Sequence, residues 1–226
     1  MGFVHEKQIV EHPGKAFCRF IKFESESYKK VAYLEFIDQR VSQPKFSNPG
    51  LSLGFTGKLE SLFKKLKNKL SCTFLHKNYD WKKDNISRLP GWNFLNFKNT
   101  GIKSYYPWLT EYEKHPKRKR SLKAPKHKNT VYKLLKIELD VNKKGLIFYE
   151  KLFSQKIKDK TILSCNTELL YKKARSNSYK RVVLACRDLD KFHKVAKKAD
   201  KINYEGQPAA LIKNPAKGWD IVVVER

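Results

Sequence analysis

Apolar and polar residues alternate along much of this chain. Phe17, Arg19, Ile21 and Phe23 fall opposite Cys18, Phe20 and Lys22, and Val31 to Asp38 alternates in the same way. The two runs predict a strand pair joined as a hairpin. Leu51 to Thr56 predicts another strand. Leu59, Leu62, Phe63, Leu66 and Leu70 then recur at helical spacing with lysines between them, which predicts an amphipathic helix packed on a sheet. Cys72 to Leu75, Trp92 to Phe97 and Tyr105 to Tyr112 read as strands, with a long polar loop over 78–91. Residues 1–16 show little periodicity.

The second half follows the same grammar. Tyr132 to Val141 predicts a strand and Gly145 to Phe153 a short helix. Strands follow at Thr161–Cys165, Thr167–Tyr171 and Arg181–Cys186. Asp188 is placed as the N-cap of a helix with Leu189, Phe192, Val195 and Ala196 on one face. Ala209–Lys213 and Trp219–Glu225 are the last strands, separated by a turn at Asn214–Gly218.

Glu35 interrupts an otherwise apolar strand. An unpaired buried carboxylate costs several kcal/mol, so Glu35 requires a partner, a metal or an open groove. It sits either on the wet face of its strand or in a ligand cup.

The chain has 226 residues, enough for one large domain or two of about 110 each. A 40% hydrophobic share excludes global disorder. The net charge of +27 suits polyanions, nucleic acid first. Lysines are spread through every segment, which is equally the mark of a solvated surface. The run at 114–128, with Lys117, Arg118, Lys119 and Arg120 at its centre, reads as a basic linker or exposed loop, and is also the best nucleic-acid patch. Aromatics interleave with lysines over 74–83, which would suit single strands. The four cysteines form no C-x-x-C pair, so a zinc ribbon is not expected. No nucleophile elbow or phosphate-binding glycine loop is present. The N-terminus lacks a signal-peptide apolar region, and no window reaches about 18 apolar residues, so the expectation is a soluble cytoplasmic protein without a membrane partner.

Several phrases together resemble the vicinal oxygen chelate superfamily, the group of glyoxalases, bleomycin-resistance proteins and ring-cleaving dioxygenases. Tyr33-Leu-Glu-Phe-Ile37 resembles the phrase that ends a first module of that superfamily, and Leu51-Ser-Leu-Gly-Phe55 with the following helix resembles the opening of a second. Pro107-Trp-Leu-Thr-Glu-Tyr112 through His115-Pro116 resembles a phrase of the glyoxalase-like domain proteins. Arg181 to Asp190 resembles a module opening, and Asn214 to Glu225 a module ending.

The resemblance implies an α+β fold of tandem βαβββ modules. They would form two cupped mixed sheets with helices on the outer face. The domains would span 1–116, with a truncated opening module, and 129–226, joined by the basic linker 117–128. A small organic molecule would sit in the first domain's cup, lined by Glu35, Trp92, Trp108, Glu111 and Tyr112. The superfamily's divalent metal would find Glu35 and Glu111 here, completed by His12, His76 or His115, but the second opening strand offers no histidine and the ligand set is incomplete. The third module's opening strand carries Lys136 and Glu138. The truncated module suggests a homodimer that supplies the missing strand. The competing class is a non-catalytic nucleic-acid-associated protein on the same fold.

Overall fold

The computed structural model describes residues 1–5, 10–12, 16–24, 32–38, 40, 48–55, 57–81, 86–112, 125–162, 167–216 and 219–226, with backbone alone at 10–12, 16, 77–81, 86–91, 112, 161–162 and 216. Strands β1 (Val10–His12), β2 (Ala16–Lys22) and β3 (Tyr33–Ile37) form an antiparallel sheet in that order. Next come β4 (Gly50–Gly54), α1 (Leu59–Leu66), β5 (Cys72–Trp81), β6 (Ile86–Phe97) and β7 (Tyr106–Tyr112). Their sheet runs β4-β7-β6-β5, with β4 parallel to β7.

The second half holds β8 (Val131–Val141), α2 (Lys143–Phe153), β9 (Lys160–Ile162) and β10 (Glu168–Lys173). It continues with β11 (Ser178–Cys186), α3 (Leu189–Val195), β12 (Asp200–Tyr204), β13 (Gln207–Ala216) and β14 (Trp219–Glu225). All nine described strand and helix partners build one seven-stranded sheet and its cover, in the order β12-β13-β14-β11-β8-β10-β9. The unit β11-α3-β12-β13-β14 repeats the topology of β4-α1-β5-β6-β7, down to the parallel pairing of first and last strands. Antiparallel pairing of β8 with β11 fuses the two units of the second half.

Capping fixes the helix starts. Asp188 Oδ1 accepts from the Lys191 N–H at 2.6 Å, as expected, and Asn142 Oδ1 accepts from the Gly145 N–H at 3.0 Å. Three expectations are corrected. The polar loop over 78–91 is largely a hairpin: β5 continues to Trp81 and β6 starts at Ile86, with Tyr79 opposite Leu89. Pro90 lies two residues beyond the described part of the β6–β7 ladder, whose last described pair is Trp92 with Tyr112. Strand β12 was not expected; it is an edge strand whose alternation is confined to Ile202 and Tyr204. Strand β1 is only three residues long, too short for a periodic signal.

The main apolar cluster lies under the helices and joins both halves. It contains Leu59, Leu66, Leu95, Tyr149, Leu169 and Phe192. The Tyr105 and Tyr149 hydroxyls meet at 3.0 Å across the two halves. Burial, the larger cause, drives both phenols far above their ordinary range. The N-terminus is strapped onto the second half. The Val4 N–H donates to His127 Nδ1 at 3.0 Å, which leaves the ring hydrogen on Nε2, and Nε2 donates to the Lys22 carbonyl at 2.9 Å. Gly2 lies so close to α3 that a Cβ there would stand 2.1 Å from Val195, at a φ of +71° that favours glycine. No helix among the described residues is long and apolar enough to cross a membrane.

A second, smaller cluster of Val183, Tyr204, Ala209, Val222 and Val224 fills the opposite face of the seven-stranded sheet. The sheet is cupped around it, with the helices outside.

Candidate functional site

Side chains alternate across each strand, so every position on β7 belongs to one of two faces. Glu111 faces α1. Its carboxylate accepts the Leu59 N–H at 2.8 Å, at the start of that helix, and the Asn93 side-chain amide at 3.2 Å. Asn93 Oδ1 lies 2.7 Å from His76 Nδ1. His76, Asn93 and Glu111 stand in one row across β5, β6 and β7. The row ends on α1, whose partial positive N-terminus suits the carboxylate. Phe74 shares this face and stacks on Phe63 of α1, with centroids 6.0 Å apart.

Trp108 and Thr110 occupy the other face, away from α1. Trp108 lies across Gly50, where a Cβ would stand 2.2 Å from the indole. The Thr110 hydroxyl meets that of Ser52 at 2.8 Å. Phe94 is opposite Thr110 in the ladder, and Trp92 meets Phe94 edge-on at 5.9 Å. Two flanking side chains on this face are open to solvent: Tyr106 is 51% exposed and Leu75 is 42% exposed. The backbone of Tyr112 pairs with Trp92, and its side chain lies outside the described residues.

The expected set is therefore divided. Trp92 and Trp108 share the half-buried face away from α1, while Glu111 is turned to the helix and occupied as its cap. Glu35 is exposed on β3 beside Cys18 of β2; burial, with the Glu35 carboxylate adding to it, pushes the Cys18 thiol far up. The side chain of His12, together with His115 and Lys117, Arg118, Lys119 and Arg120, lies outside the described residues. Among the described residues no group of three His, Cys, Asp or Glu side chains is placed to hold a metal ion. Glu35 and Glu111 as described do not fit a shared divalent metal, because one Glu111 oxygen is already held by two N–H donors.

The second half contains a cluster that pattern reading touched only at Lys136 and Glu138. On β8, Ile137, Leu139 and Val141 face the helices, and Lys136, Glu138 and Asp140 face the cup. Glu138 accepts from the Tyr204 hydroxyl and forms an ion pair with Arg181, whose Nε lies 3.0 Å away. Lys136 Nζ reaches Glu205 at 2.6 Å. Burial, then the bond to Glu138, hold the Tyr204 phenol far above its ordinary range, while Lys136 lowers the Glu205 carboxyl. Beside this cluster lies a cavity of about 390 Å³. What hid it is distance in sequence: Glu138, Asp159, Lys172 and Arg181 belong to different elements.

No protein-family model matches the chain, and no curated protein does. Solved structures do. A hypothetical protein from Staphylococcus aureus superposes with a TM-score of 0.60 at 12% identity, over 99% of this chain and 91% of its own. BphC, a halotolerant catechol dioxygenase, superposes with a TM-score of 0.51 at 10% identity, over 100% of this chain and 78% of its own. At such identities the likeness is one of fold. It is the cupped mixed-sheet fold with helices outside that the resemblance implied.

Proposed function

We propose that this chain is a glyoxalase-like protein that binds a small, flat organic molecule on the face of the β4–β7 sheet away from α1. One observation carries the reading: Trp108 closes over Gly50, on the same sheet face as Phe94 and Trp92 and away from α1. Aromatic walls with a few hydroxyls are the usual make-up of a small-ligand site. The Ser52 hydroxyl, paired with that of the buried Thr110, supplies the polar contact that would orient a phenol or carbonyl oxygen. Binding is the activity this face supports. Conversion would need a general acid, a base or a metal, and Glu111 is committed to α1.

Fluorescence titration with catechol, chosen because one structural neighbour is a catechol dioxygenase, tests the reading. Saturable quenching that is lost in Trp108→Leu supports it, and unchanged quenching in that variant contradicts it. The competing reading, nucleic-acid binding, rests on the +27 charge. It predicts binding that weakens steeply as salt rises, whereas uptake of a neutral phenol is insensitive to salt.

A further inference from the structure

The 390 Å³ cavity of the second half is independent of the β4–β7 face. Its wall carries three acids, Glu138, Asp140 and Asp159, and three bases, Lys172, Lys180 and Arg181. On a chain of net charge +27 this local balance stands apart. A polyanion gains nothing from a neutral wall, and a purely apolar ligand would leave these charges desolvated.

The charges are arranged in columns. Glu138 and Asp140 stand on the central strand β8. Lys172 flanks them on β10, opposite Asp140 in the ladder, and Arg181 flanks them on β11, opposite Glu138. Adjacent columns are about 4.8 Å apart, the spacing of neighbouring strands. Glu138 is already bonded to Arg181 and Tyr204. Asp140 is held more loosely: Ser178 donates to it at 2.9 Å, and Lys180 stands at 4.0 Å, the limit of an ion pair. Leu170, opposite Glu138 on β10, adds apolar surface.

We propose that this cavity binds a zwitterion of amino-acid to dipeptide size. Its ammonium group sits at Asp140. Its carboxylate sits one strand over, at Lys172 on β10. An apolar side chain lies along Leu170. Opposite charges separated by one strand spacing match a ligand whose own charges are separated by a few bonds, and each ligand charge meets a partner that is not fully engaged.

Isothermal titration calorimetry of the whole chain with glycyl-leucine tests this, run beside its N-acetyl and C-amide derivatives and free leucine. The parent dipeptide or leucine is expected to bind, and each capped form at least tenfold more weakly. Whichever of the two zwitterions binds tighter identifies the source as peptide or free amino acid. Lys172→Gln should weaken the zwitterion about tenfold and leave the C-amide unaffected. Asp140→Asn should do the same with the N-acetyl form unaffected. Lys172 is solvent-exposed, so its variant folds and isolates the electrostatic contact. Equal binding of capped and free forms, no binding of either zwitterion at millimolar concentration, or unchanged binding by a folded Lys172→Gln would overturn the proposal.

Discussion

Tyr204 on the edge strand β12 hydrogen-bonds Glu138 on β8, four strands away in the same sheet. Laid flat, those strands would be about 19 Å apart. The sheet is therefore rolled, and the Val183–Val222–Val224 cluster is sealed inside the roll. Lys136 and Glu205 add an ion pair to the same closure. Tyr204→Phe keeps the ring and removes the bond. Because the acceptor is charged, the expected loss is about 1.5–3 kcal/mol in urea unfolding. A loss below about 0.5 kcal/mol would show that the apolar cluster alone holds the roll.

Glu111 caps α1. Glu111→Ala should lower stability by about 1 kcal/mol, typical of a lost helix-start acceptor. Glu111→Gln, which keeps an acceptor and loses the charge, should fall between. Elemental analysis of the same variants should give unchanged divalent-metal content. Stoichiometric metal that disappears with Glu111 would restore the chelate reading.

Gly50 makes room for an indole. Gly50→Ala drives a methyl group into Trp108, with a strain of about 1–3 kcal/mol unless the ring moves. A shift in tryptophan emission together with weaker catechol binding is expected. If emission and binding are both unchanged, Trp108 does not depend on this position.

His127 is buried as the neutral ring, and burial lowers its folded pKa below the ordinary 6.5. The unfolded chain then takes up a proton first. Stability is fully present above about pH 6.5 and declines as pH falls from there toward the folded pKa. Protonation also removes the acceptor of the Val4 N–H. Unfolding free energy between pH 7.5 and 5.5 should fall in the native chain and be flatter in His127→Gln. Glu205, held low by Lys136, loses its own contribution only at lower pH, below its ordinary 4.5.

Much of the fold was written in local pattern. The 59–66 helix and the strand around Ile137 follow from spacing, because each buries one face, and the strand around Val183 from a continuous apolar run, because both its faces are buried. The β5–β6 hairpin was hidden by its polar residues, which are allowed where a strand has a neighbour on only one side. The site was partly legible. Trp108 and Glu111 are three residues apart on one strand, so alternation alone sets them on opposite faces; resemblance to a phrase had placed them together. The Glu138–Arg181–Tyr204 cluster has no local signature, since its members meet only when the sheet rolls.

The most direct test of the account is tryptophan fluorescence of the whole chain titrated with catechol at low and high salt, in parallel with Trp108→Leu. Saturable, salt-insensitive quenching that vanishes in the variant is the predicted result. Quenching that persists in Trp108→Leu, or an absence of quenching in the native chain alongside tight, salt-sensitive binding of single-stranded nucleic acid, would contradict it.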